Sequence, residues 1–319
     1  MAEPTPRGWR SGRGPRLCSR AVPDPNAMTP DQLEAALGYR HNFARVVHAA
    51  PERTELAFDL DRERYPWLAL PPLHPVVIDK IQYFAAVTGS LQASQMKPGT
   101  RSALTKLTWS ALVPPGDARP AVRGVLAPWA GEERAGYELA LFDDPGREVA
   151  RVRGEGTAFG DRDFGAWRAA AKQKAADAAR DRAAPTPPAD PVAAGLGPGG
   201  VCLVSPPRGR SLAALVTAES GFGPAHPFHT GSGDHVNAAH LFDCAMQAAH
   251  LLWEPAGTAL HCVAGEAGFL RFVELGVPFE IDVAEPEPGP EGTTRLCFTV
   301  RQAGRENTRL RFDLAPLDS

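Results

Sequence analysis

An α+β fold built twice, each copy a long apolar helix wrapped by antiparallel strands, is what this sequence predicts. Three observations lead there. Tyr65–Gln82 (YPWLALPPLHPVVIDKIQ) and His229–Gln247 (HTGSGDHVNAAHLFDCAMQ) are each a Pro- or Gly-rich loop running into an apolar helix that opens with an aspartate, Asp79 in one and Asp243 in the other. Tyr65 and His229 both stand fourteen residues before their aspartate. Strand-like segments follow each helix, so the order of elements repeats. A duplication that keeps a histidine in only one copy predicts a pseudo-dimer with one composite site.

The elements follow in order. Residues 1–28 are basic and lack an apolar core, which predicts a disordered extension, with Met28 a second candidate start. Thr29–Leu37 has proline at its first turn and acids behind it, the pattern of a short helix. Thr54–Asp61 alternates apolar and polar residues as a strand does, and Val76–Leu91 is an apolar run long enough for a buried helix. Strands are expected over Ser102–Val113, Ala121–Trp129, Gly136–Asp143 and Glu148–Phe159, separated by Pro/Gly turns. Phe164–Arg182 is Ala-rich and charged, an exposed helix, and Ala184–Gly200 is a Pro/Gly/Ala linker with no means of burying a core. The second copy has a strand at Ser211–Ser220, a helix at Asn237–Trp253, and strands within Thr258–Val273, Val277–Glu285, Thr294–Gln302 and Thr308–Pro316. The expected units are therefore 29–165, a connecting helix and linker over 166–200, and 201–319.

Composition narrows the function. The chain has 319 residues, 43% hydrophobic and 22% charged, with a formal net charge of −3. That length allows two cores, and that charge gives no reason to expect nucleic acid or a membrane surface as partner. The five cysteines are scattered and odd in number without CxxC spacing, so neither a disulfide framework nor a zinc site is expected. With no apolar run near the roughly 18–20 residues of a membrane span, a cytoplasmic protein is the expectation. No Rossmann glycine fingerprint or P-loop is present, so no nucleotide cofactor is expected.

Three local patterns resemble the hotdog superfamily, in which a curved antiparallel sheet wraps a long central helix. His229, Asp243 and Gln247 are spaced as in bacterial β-hydroxyacyl-carrier-protein dehydratases. His229-Thr-Gly-Ser-Gly233 and His74-Pro-Val-Val-Ile-Asp79 are similar to the HxxxG and HPxxxD signatures of polyketide-synthase dehydratases, which are double hotdogs. Leu112–Pro120 (LVPPGDARP) resembles the turn after the helix in many hotdog dehydratases. This sequence has Ala238 where the HxxxG pattern continues to proline, and its halves come in reverse order. Gly233–Gln247 also resembles the hotdog enzymes of γ-butyrolactone synthesis.

The resemblance implies a double hotdog with its active site where the halves meet, His229 facing Asp79 and a second, inactive site holding Tyr65 and Asp243. It implies a 3-hydroxyacyl thioester substrate carried on phosphopantetheine or CoA, an acyl carrier protein as partner, and no further cofactor; homodimerisation stays open. Dehydration needs a base for the α-proton and an acid for the leaving hydroxyl. Imidazole suits the first task, and an aspartate whose pKa is raised by an apolar tunnel suits the second. Gly233 would admit the thioester carbonyl, Asn237 would cap the helix whose N–H groups face the enolate, and His74 and Gln247 would line the substrate.

Plainer readings stand beside these. Asp243 and Gln247, at i and i+4, can be a hydrogen-bonded buried pair, and Asp79 a first-turn acid. His226, His229, His235 and His240 match no zinc spacing, so no metal is expected. His74 and His235 read as loop histidines, and Cys244 as core. The alternatives to a dehydratase are a thioesterase using a helical carboxylate and water, a butyrolactone-type condensing enzyme suggested by Asp234-His235-Val236, and a non-catalytic acyl binder.

Overall fold

The computed structural model describes residues 43–50, 52–92, 101–130, 135–159, 164–180, 187–197, 200–223, 225–226, 228–229, 233–253 and 260–316. The expected extension over 1–28 and the expected helix Thr29–Leu37 lie outside them. In the first half the strands are β1 (Ala44–Ala50), β2 (Arg53–Phe58), β3 (Arg101–Ala111), β4 (Arg123–Ala130), β5 (Ala135–Phe142) and β6 (Glu148–Phe159), with helix α1 (Pro75–Gln92) between β2 and β3. Helix α2 (Phe164–Arg180) leads to the second half. There β7 (Ser211–Ala214) precedes helix α3 (Ala238–Trp253), and β8 (Leu260–Phe269), β9 (Phe279–Val283), β10 (Glu287–Pro288), β11 (Thr294–Gln302) and β12 (Arg305–Pro316) follow it.

The strands form one sheet in the order β1-β2-β4-β5-β6-β3-β8-β12-β11-β9-β7, with β10 paired to β11. Read from each end inward, the halves are the same. The strand before the helix lies outermost, the strand after it lies at the centre, and the remaining three stand between them in sequence order. The duplication read from the sequence is thus present as topology, with β1 added at one edge.

Two separate sheets were expected, and here the structure corrects the sequence. β3 and β8 pair antiparallel from Lys106↔Gly268 to Ser110↔Ala264, fusing the halves into one 12-stranded sheet. Joining them removes two strand edges whose backbone groups would otherwise need water or another partner. Trp109 lies opposite Gly265 in this ladder, its indole occupying the space a Cβ would take, and it also contacts Phe242 and Phe312.

The helices lie against the sheet, α1 on β1 and β4–β6 and α3 on β9, and pack against each other. Their sequences explain this. Val76, Val77, Ile78, Ile81 and Ala85 are all buried in α1, as is every residue of α3 from Ala239 to Ala249. A helix apolar on all sides is stable only inside a core. Pro75 opens α1 at a position where its missing N–H costs nothing.

Three local differences have physical causes. β1 was not anticipated: ARVVHAA has no clean alternation, and a bulge at Val46/His48 shifts its register on β2. β7 ends at Ala214, short of Ser220, because the Thr217 and Ser220 side chains bond each other's backbone N–H and hold a turn. The segment expected to be a bare linker packs on the second half: Ala189 and Ala194 are buried, and Ala189 N–H donates to the Val204 carbonyl at 2.8 Å. Among the described residues no helix is long and apolar enough to cross a membrane.

Candidate active site

A cleft of about 1990 Å³ opens between the halves. Asp79, Lys80 and Gln82 of α1 line it from the first half, and Gly233–Ala238, the approach to α3, line it from the second. Trp167, Arg168 and Lys174 of α2 add a further wall. The two central helices thus bring groups from both copies to one space.

Asp79 is 7% exposed, and its Oδ1 accepts a hydrogen bond from Gln82 Nε2 at 3.0 Å. Gln82 Oε1 in turn accepts from the Tyr137 hydroxyl. Tyr137 can lie there because Gly154, opposite it in the β5–β6 ladder, has no Cβ to collide with its ring. Burial raises the Asp79 carboxyl to about 6, while Lys80 and the Gln82 hydrogen bond pull it back. A carboxyl at that value exchanges protons readily near neutral pH.

Lining the same cleft from the second half is His235, which the sequence suggests is a loop histidine. His235 Nδ1 lies 2.5 Å from Asp234 Oδ1, so the N–H donates to the carboxylate and leaves Nε2 free to accept or deliver a proton. The ring meets Phe272 edge-on at 4.6 Å. Asp234 is anchored by Arg168 Nε at 3.2 Å and Lys172 at 3.7 Å. The His235 hydrogen bond, opposed by burial and helped by Arg168, holds the Asp234 carboxyl well below the usual carboxylate range. The available signal was local: an acid directly before the histidine, two residues ahead of a helix cap.

Asn237 provides that cap, its Oδ1 accepting from His240 N–H at 3.1 Å. Ala238, the first residue of α3, lines the cleft, and a first-turn N–H has no carbonyl to bond within its helix. Gly233 lines the cleft too.

The remaining expected site residues gather elsewhere. His229 is fully buried, does not line the cleft, and stands 3.4 Å from Asp243 Oδ2 through Nε2. His226 Nε2 is 3.3 Å from the same oxygen. The expected pairing across the halves, His229 with Asp79 and Tyr65 with Asp243, is therefore corrected. His229 and Asp243 belong to the same half, and Tyr65 packs among Phe43, Trp67 and Phe84. The fourteen-residue interval is real, but the loop folds back onto its own helix. His74 turns Nδ1 to the Val76 N–H at 3.3 Å and is likewise absent from the cleft lining. Burial, against the pull of Asp243, lowers its pKa to about 4.

Gln247 is tied down by three hydrogen bonds and is absent from the cleft lining. Its Oε1 accepts from Leu203 N–H at 2.8 Å, and its Nε2 donates to the Val201 carbonyl and to Asp243 Oδ1, each at 3.1 Å. Gln247→Ala leaves three groups unpaired, two of them fully buried, and is expected to cost about 2–4 kcal/mol. Urea unfolding should show the loss, and a change below about 0.5 kcal/mol would remove the clamp from the account.

No protein-family model matches the chain, and no curated protein does. Solved structures do. A putative oleoyl thioesterase from Lactobacillus plantarum matches at 12% identity and TM-score 0.47, covering 86% of this chain and 99% of that one. The 12:0-ACP thioesterase of Umbellularia californica matches at 11% and 0.47, covering 85% and 99%. The dehydratase domain of RzxB from Pseudomonas fluorescens matches at 13% and 0.44, covering 85% and 97%. Likenesses of this size decide nothing about the reaction, which has to be argued from the cleft.

Proposed function

We propose that this chain is an acyl-thioester enzyme working in the cleft between its halves, and that the reaction is hydrolysis. One observation carries the reading: Asp79, a carboxyl tuned by burial to about 6, shares the cleft with the Asp234-held imidazole of His235. At neutral pH Asp79 is mostly ionised, the state that takes a proton from water. The hydroxyl adds to the thioester carbonyl carbon, whose developing oxyanion is met by the Ala238 N–H and the positive end of α3. The carbon–sulfur bond then breaks, giving a carboxylic acid; the His235 imidazolium, having taken a proton on Nε2 from solvent, gives it to the departing thiolate, and Asp79 releases the proton it took from water back to solvent. The cleft's size and partly apolar lining suit an acyl chain carried on CoA or an acyl carrier protein.

A second reading, dehydration of a 3-hydroxyacyl thioester, is favoured by Asp79 and His235 coming from opposite halves, as an acid and a base on two sides of a substrate would. It keeps the expected chemistry with His235 in place of His229. Thiol release and product mass separate the two. Incubation with acyl- and 3-hydroxyacyl-CoA should liberate free thiol, with His235→Ala lowering the rate about 100-fold or more. Loss of one water without thiol release would instead establish the dehydratase. Neither change on CoA or carrier-protein thioesters sinks both readings and leaves acyl binding.

A further inference from the structure

The second locus asks for an explanation of its own, because it is closed to the cleft and yet rich in chemical groups. His226, His229 and Asp243 are all buried, and one ligand-type atom from each lies within 4.8 Å of the other two. Protein interiors almost always satisfy such atoms. Here His226 Nε2, both ring nitrogens of His229 and Asp243 Oδ2 have no hydrogen-bond partner, so the 3.3 and 3.4 Å approaches to the carboxylate are contacts without hydrogen-bond geometry. Three of these orphaned atoms, one from each residue, lie together in the interior, an arrangement that a bound cation would satisfy.

The spacings identify the occupant's class. Ligands about 2.0–2.1 Å from a tetrahedral zinc ion stand about 3.3–3.4 Å apart along the tetrahedron's edges. The two nitrogen-to-oxygen distances fall in that interval. Two imidazoles and one carboxylate suit a borderline divalent ion such as Zn²⁺, whereas Ca²⁺ and Mg²⁺ prefer oxygen alone. The surroundings fit as well. Gln247 Nε2 fixes the other carboxylate oxygen, a supporting contact of the kind that orients metal ligands. His240 lies tilted against His229 at 4.1 Å but has both nitrogens engaged, Nε2 on the Gly221 carbonyl and Nδ1 on the Asn237 N–H, so it forms a wall and not a ligand. One adjustment is required. His226 Nδ1 accepts the Phe228 N–H at 3.3 Å, and coordination through Nε2 moves the ring proton to Nδ1, giving up that long, weak contact.

We propose that His226, His229 and Asp243 bind a divalent transition-metal ion of the zinc class, with the fourth position left to water. The ion ties the loop that carries His226 and His229 to the middle of α3, and the chain continues from that loop into Gly233, His235 and the cap at Asn237. The site is independent of the hydrolysis reading, since none of its three ligands lines the cleft.

The test uses the full chain stripped of metal and titrated with Zn²⁺, then with Co²⁺. One equivalent per chain is expected, with a rise in melting temperature and, for Co²⁺, the intense visible bands of a four-coordinate ion. His229→Gln and Asp243→Asn should each weaken Zn²⁺ more than about 100-fold, and Gln247→Ala about 10–100-fold. Should the ligand variants fail to fold, the Co²⁺ spectrum of the unaltered chain decides alone. Only the pale spectrum of aqueous cobalt, or uptake that survives His229→Gln in folded protein, overturns the proposal. Because the readout is binding, it can fail while hydrolysis stands, and the reverse.

Discussion

Asp79→Asn is expected to abolish thioester turnover while making the protein more stable, and the two effects together test whether this carboxyl is held in the cleft for chemistry. The carboxyl has a folded-state pKa of about 6 against an ordinary value of 3.8. Below the lower value both folded and unfolded forms are protonated and burial carries no electrostatic penalty. As pH rises from about 4 to 6 the unfolded chain ionises while burial keeps the folded carboxyl protonated, so stability is lost across that interval and the loss is complete above about pH 7. Two pKa units correspond to roughly 2–3 kcal/mol. Asparagine cannot ionise, and its Oδ1 can still accept the Gln82 hydrogen bond. Urea unfolding should therefore show a gain of roughly 2–3 kcal/mol at pH 8 and almost none at pH 3. Turnover should fall at least about 100-fold, the usual contribution of a positioned acid or base. A gain of equal size at both pH values would mean that the benefit comes from packing and that Asp79 is not a strained acid.

The second large effect is expected at Arg168. Its guanidinium meets Glu274 through two contacts, 2.5 and 2.7 Å, with the two side chains 4% and 6% exposed, and it lies over Phe272 at 4.3 Å. Arg168→Met strands a buried carboxylate and is expected to cost about 3–5 kcal/mol, whereas adding Glu274→Leu should recover most of that loss, since a buried ion pair replaced whole by apolar groups is often neutral. The charge pair also fastens α2 along the cleft, and Arg168 braces Asp234 behind His235. The double variant should therefore be stable and yet catalytically weakened. If the single and double variants are equally unstable, the packing of α2 matters and the charge pair does not.

How much of this was legible in the residues depends on the scale. The two central helices were, because Val76–Leu91 and Asn237–Trp253 are predominantly apolar runs, and a helix that apolar is stable only when most of it is covered. So was the repeat, since the element order that surrounds them recurs. The fusion into one sheet was not, because alternation in Ser102–Val113 shows which face a strand buries and says nothing about which strand it pairs with. The site was legible by region and not by residue. Spacing drew attention to His229, but an interval along the chain measures path length, not direction. Whether His229 or His235 reaches the cleft is settled by where the loop turns back, through contacts such as Val236 N–H to the Val273 carbonyl that no local pattern encodes. Asp79 was singled out in the sequence and lines the cleft, while its partner Gln82 at i+3 takes its meaning from Tyr137, a residue 55 positions away.

The presence of both halves in one chain, paired through β3 and β8, also bears on how such a molecule can change over generations. In a two-fold assembly of identical chains every substitution appears twice, once at each copy of a site, and neither copy can be altered alone. Here a codon affects one half only. Lys80 and Cys244 occupy the same position in the two central helices, directly after their aspartates, as do Tyr65 and His229 fourteen residues before them. The two central helices were thereby free to diverge, one presenting Asp79 and Lys80 to the cleft and the other burying Asp243 beside His226 and His229, a division of labour that an obligatory symmetric dimer could reach only after its gene had been doubled.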